Sequence, residues 1–149
     1  MRTWRLRLED YGISDLRYDE LRALCRRYDE LRELERRYRL GDRGGKRTGN
    51  GAWKGRPDPT AAEALRRASS PYKWQIDAIE TAADNACGSM GTDVRRAIMR
   101  NVADGVPYER LGCVPCGRRQ FYELRLLFFV YLDRELMRAR VPGRRAPKN

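Results

Sequence analysis

Histidine is absent from this 149-residue chain, and cysteine, tryptophan and phenylalanine are scarce, at four, three and three residues. Without histidine there is no Ser-His or Cys-His pair for nucleophilic catalysis and no mixed Cys-His zinc site. A GxSxG elbow, a phosphate-binding glycine loop with its lysine, and a carboxylate pair at metal-binding spacing are missing as well. Nothing in the sequence therefore argues for an enzyme. The four cysteines are Cys25, Cys87, Cys113 and Cys116. Cys113-Val-Pro-Cys116 has the spacing of a metal knuckle or a redox pair, but there is no second CxxC and no βαβ pattern around it. Zinc would need Cys25 and Cys87 to converge from two other helices. Small-volume core packing is the better expectation, with no metal and no cofactor.

Long apolar runs are also missing: no stretch of 18 apolar residues occurs, so no helix is expected to span a membrane. The opening MRTWRLRLED lacks an unbroken apolar core followed by small residues, so no signal peptide is expected. The expectation is a cytoplasmic chain with reduced cysteines.

Basic residues are plentiful, 32 against 21 acidic, for a net charge of +11. Their placement is uneven. Residues 41–70 carry 7 basic and 3 acidic groups, residues 71–105 carry 4 and 5, and residues 106–149 carry 10 and 4. Such a surface suits a phosphate backbone through counterion release. A solvated, solubility-giving surface and an acidic lipid surface are the competing explanations.

The phrase YDELRxLxRR occurs twice in succession, at 18–27 and 28–37. Ten residues at about 3.6 per turn leave the second copy rotated by roughly 80° from the first, so the repeat is not a coiled-coil period. The informative spacing lies beneath it: Leu21, Leu24, Tyr28 and Leu31, then Leu34 or Glu35, then Tyr38. Ser14 as N-cap and Gly41 as terminator predict one long amphipathic helix over about 15–40. Packing on its own chain and pairing with a second chain both fit.

Residues 41–59 hold six glycines, two prolines and five basic residues, with Trp53 among them, and predict a flexible basic linker. Thr60-Ala-Ala-Glu63 is a capping-box pattern that predicts a short helix to about Ala68. Periodicity then predicts helices over about 72–86, over 93–103 with Thr92 as cap, a one- to two-turn helix over 107–111, and a last helix from 116 or 117 to about 138. At the start, Trp4, Leu6 and Leu8 alternate as in a short strand, though without an obvious partner. The fold class is all-α. The expected layout is an N-terminal helical arm over 1–40, a flexible linker over 41–59, a helix-turn-helix DNA-binding domain over 60–140 and a basic tail over 141–149.

Val106–Arg125, VPYERLGCVPCGRRQFYELR, carries the functional information. It reads as short helix, tight turn and long helix, with Tyr108, Leu111, Val114, Phe121 and Leu124 facing inward. In a helix-turn-helix the first turns of the second helix enter the major groove. Arg118, Arg119, Tyr122 and Arg125 then face outward or sideways, with Gln120 at the margin. Arginine can bridge guanine O6 and N7, glutamine can pair with adenine, and tyrosine and the remaining arginine suit phosphates. Lys46 and Arg47 of the linker add to the DNA-binding set. A helical hairpin with a solvated basic face is the plainer alternative.

The segment YERLGCVPCGRRQFYELRLLFFVYL, with Pro115, Arg118, Arg119, Phe121, Tyr122, Arg125, Phe128 and Phe129, resembles the end of the RinA/ArpU-type phage transcriptional activators. The resemblance is distinctive over the last 35 residues or so and diffuse elsewhere. Leu126-Leu127 stands where further basic residues are usual, and the glycine-rich 41–56 insert has no counterpart. The resemblance implies a sigma-factor region-four-like helix-turn-helix and DNA-binding control of phage late genes through host RNA polymerase. Two other functions fit the residues: a DNA-packaging recognition subunit like a small terminase, and a helical protein-interaction adaptor. The apolar run Leu126–Leu132 predicts a surface left for a partner, either a second copy of the chain or polymerase, because three or four short helices offer little cover for it.

Overall fold

The Ser14 hydroxyl accepts a hydrogen bond from the Arg17 N–H at 3.2 Å, so the first helix starts where its N-cap residue suggests. A computed structural model describes residues 7–41, Ala61 and 70–140. Its helices are α1 (Asp15–Arg26), α2 (Tyr28–Arg39), α3 (Lys73–Cys87), α4 (Thr92–Asp104) and α5 (Arg118–Arg140), with single 3-10 turns at Leu8–Tyr11, Gly88–Met90 and Tyr108–Arg110. All-α is correct for the described residues, which contain no strand. Leu8, expected at the end of a strand, opens a 3-10 turn instead. The 42–59 part of the linker, the helix over 60–68 apart from Ala61, the 141–149 tail, and Lys46, Arg47 and Trp53 lie outside the described residues.

The single 15–40 helix is two helices. Arg27 has φ −88° and ψ 4°, outside the helical well, and its N–H reaches back only three residues to the Leu24 carbonyl. The break falls between the two copies of the repeated phrase and gives each copy its own helix. Tyr18 and Tyr28 open the copies, with Arg22 and Arg32 stacked over their rings at 5.5 and 5.7 Å. Leu21 and Leu31 are each 1% exposed. Both leucines belong to the same core cluster.

The two helices use different neighbours. α1 packs on α4 and α5, α2 on α3, and α3 lies along α5 as the central pair. The segment expected as an arm thus shares one core with residues 73–140: Leu21, Cys25, Tyr28 and Leu31 belong to the same cluster as Ile79, Ile98 and Phe129. Tyr28 donates its hydroxyl to Glu80 at 2.7 Å, and burial, together with that bond, pushes its pKa up to about 12. Glu35, at the place that Cys25 holds in the first copy, is buried with Arg39 donating at 2.7 Å. It also accepts from the Ser70 hydroxyl, which fixes the start of the 70–140 segment on α2.

The apolar run of α5 is covered within the chain. Phe128, Phe129, Val130 and Leu132 are buried, and Leu126, Leu127 and Tyr131 are half-buried against the core. Most of the surface expected to need a partner is thus taken up by α1 and α3, which pack on α5, and Leu126, Leu127 and Tyr131 remain half-exposed.

Candidate nucleic-acid interface

α4 ends at Gly105, whose φ of +71° is a left-handed C-cap that glycine adopts without a β-carbon penalty. Thr92 is the first helical residue rather than a side-chain cap, and Gly91 takes the cap position. The Asn101 side chain donates to the Val106 carbonyl at 2.8 Å and pins the chain as it leaves the helix. Pro107 leads into the turn Tyr108–Arg110, a single 3-10 turn where one to two helical turns were expected. Gly112 turns the chain at φ +81°. The Tyr108 hydroxyl then donates to the Cys116 carbonyl at 2.7 Å, closing the corner, and the Gly117 carbonyl accepts the Phe121 N–H at 2.9 Å to begin α5.

Inward-facing residues behave as their spacing predicts. Phe121 is fully buried, its ring 5.2 Å from that of Tyr108, while Leu111, Val114 and Leu124 pack partly buried on the core. Arg118, Arg119, Gln120 and Tyr122 are exposed on the first turns of α5. Arg118 pairs with Glu109 at 3.1 Å and Arg119 with Glu123 at 3.1 Å; Gln120 meets the Met90 sulfur at 3.7 Å. Exposed pairs of this kind contribute little and exchange readily for another anion.

Arg125 departs from the expected set. Its Nε donates to Asn101 Oδ1 at 2.6 Å and its Nη1 to the Tyr18 hydroxyl at 2.8 Å, with the guanidinium 5.1 Å from the Phe129 ring centre. Helical spacing turned it sideways rather than outward, and the side of α5 it meets is occupied by α1 and α4. Arg125 is thus an internal tie between three helices and not an outward phosphate ligand. Asn101 and Tyr18, its partners, lie 24 and 107 residues away in sequence, so no local pattern signals them.

Cys25 and Cys87 sit in the core as expected, Cys116 packs half-buried against it, and Cys113 is exposed. The described residues contain no group of three or more Cys, Asp or Glu side chains placed to hold a metal ion. Burial pushes the Cys25 thiol up to about 12, against the opposing charges of Arg125 and Arg26, and burial also raises Cys87 and Cys116. With the thiolate the reactive form, a disulfide reagent at about pH 8 should find one fast thiol per folded chain, Cys113. The others should respond only on unfolding; two or more fast equivalents would contradict this assignment of burial.

A cleft of about 660 Å³ lies between α2 and α3, lined by groups of both signs such as Asp29, Arg32, Glu33, Arg36, Lys73 and Asp77. It shares no lining residue with the 106–125 corner. None of the described helices is long and apolar enough to cross a membrane. No protein-family model, curated protein or solved structure matches the chain.

Proposed function

We propose that this chain is a sequence-specific double-stranded-DNA-binding transcriptional activator of phage late genes, working through a helix-turn-helix-like corner and host RNA polymerase in the bacterial cytoplasm. The observation that carries this proposal is the grouping of Arg118, Arg119, Gln120 and Tyr122, all exposed, on the first two turns of a helix whose root, Phe121, is fully buried. A rigid base with polar and cationic side chains at its tip suits base-edge recognition, because the contacts lose little freedom on binding. The resemblance of Tyr108–Leu132 to the RinA/ArpU-type activators supports the same function.

The test is to map DNA fragments captured by the purified chain from a phage genome, then measure affinity for the recovered site. Arg118→Ala and Arg119→Ala should each cost about 1–3 kcal/mol on that site, and at least one should relax preference at a particular base pair. Both should melt like the wild type, since both side chains are exposed. A double variant that bound the site as tightly as wild type at physiological salt would defeat the proposal. A ring of many subunits bound at a packaging site would replace activation by DNA packaging.

A further inference from the structure

At the start of α5 the arginines are paired: Arg118 with Glu109 and Arg119 with Glu123. A second group is not. Arg22 and Arg26 of α1, Arg100 of α4 and Arg110 of the 3-10 turn are all exposed, and among the described residues none has a carboxylate within ion-pair distance. Arg22, Arg26 and Arg100 belong to two helices that pack on each other, α1 and α4. The Arg26 guanidinium occupies the place that a β-carbon on Gly105 would take, directly over the C-cap of α4. The Val106 N–H in turn donates to the Arg100 carbonyl at 3.4 Å, and the Gly105 N–H to that of Asn101 at 3.1 Å. One turn back on α1, Arg22 lies 5.5 Å over the Tyr18 ring, and Tyr18 is joined through Arg125 to Asn101, the neighbour of Arg100.

We infer that this α1–α4 seam, through Arg22, Arg26 and Arg100, is a second nucleic-acid contact that holds the phosphate backbone. The inference rests on the DNA-binding function proposed above and extends it to a surface outside the 118–125 set. Four arginines held without carboxylates cost solubility nothing, but they also gain no ion-pair stabilisation. A polyanion supplies the missing charge.

The spacing fits one duplex. Gly105, under Arg26, and Glu109, paired with Arg118, are separated by a segment that spans at most about 18 Å even fully extended. One helical turn of duplex is about 34 Å, so a single site is long enough to reach from the seam to the start of α5. Arginine at the seam reads charge and not sequence, because phosphates are the same at every base pair. The expected division is therefore clear: the start of α5 selects the site, and the seam adds affinity to any site.

The full-length chain is titrated with two duplexes, the recovered genomic site and a random sequence of about three helical turns, between about 50 and 200 mM salt. The Arg22→Gln, Arg26→Gln, Arg100→Gln triple variant should flatten the slope of log affinity against log salt by about 2–3 on both duplexes. Its affinity at low salt should fall at least about tenfold on both. The corresponding triple lysine variant keeps the charge and should keep the slope. Equal melting of all three proteins shows that the fold is intact; if the glutamine triple melts early, Arg22→Gln with Arg100→Gln alone should still flatten the slope by about 1–2. A slope unchanged in a wild-type-like binder would overturn the seam and leave the α5 site standing. A wild-type chain that bound neither duplex would overturn both.

Discussion

Phe121→Ala is expected to destabilise the chain by about 3–5 kcal/mol, the cost of deleting a fully buried aromatic ring and leaving a cavity. The site is a poor one to collapse. The ring is packed 5.2 Å from Tyr108 on the corner and 5.5 Å from Tyr122 on its own helix, with interplanar angles of 55° and 90°. Tyr108 is itself held by its bond to the Cys116 carbonyl, so it cannot follow the truncated side chain without opening the corner. Thermal melting by circular dichroism should show a fall of about 10–30 °C, and DNA binding should vanish at temperatures where the wild type still binds. A melt within a few degrees of wild type would show that Phe121 is not the root of the helix.

Arg125→Ala is expected to act on stability, by about 2–3 kcal/mol, and not first on DNA. It leaves Asn101 Oδ1 and the Tyr18 hydroxyl without their charged donor and removes the stacking on Phe129. Arg125→Lys restores the charge but not the fork that reaches two acceptors at once, so it should recover only part of the loss. A double-mutant cycle with Tyr18→Phe should return a coupling well above the few tenths expected of independent sites. If Arg125→Ala melted like wild type and only lowered the salt slope of DNA binding, the sideways arginine would be a phosphate ligand after all.

Helical periodicity places α3, α4 and α5 within a residue or two, because α3 and α4 carry apolar stripes, the first turns of α5 carry Phe121, Leu124 and Phe128, and glycine, proline or serine marks their boundaries. Phe121, Leu124 and Phe128 were legible as the inward face for the same reason. What periodicity could not supply was the joint at Arg27, where the stripe continues but the backbone does not. A local pattern of leucines fits a straight helix and a broken one equally well; only the positions of α3 and α4 decide between them. Arg125 was misjudged on similar grounds. On a helical wheel it borders the outward face, and its role depends on a tyrosine and an asparagine contributed by two other helices. Cys113 was also read as core, although the turn at Gly112 leaves it exposed.

The joint at Arg27 has an evolutionary corollary. A continuous amphipathic helix can gain or lose length only in steps near seven or eleven residues, because any other step carries the downstream side chains off their face. A ten-residue step turns them by roughly 80°. Here each copy closes on its own helix and is positioned by its own contacts, Tyr18 on α5 and Tyr28 on α3. The unit of variation in this part of the chain is thus the whole ten-residue module. The two modules bury different chemistry at the same position: where the first carries the buried thiol of Cys25, the second carries the buried carboxylate of Glu35.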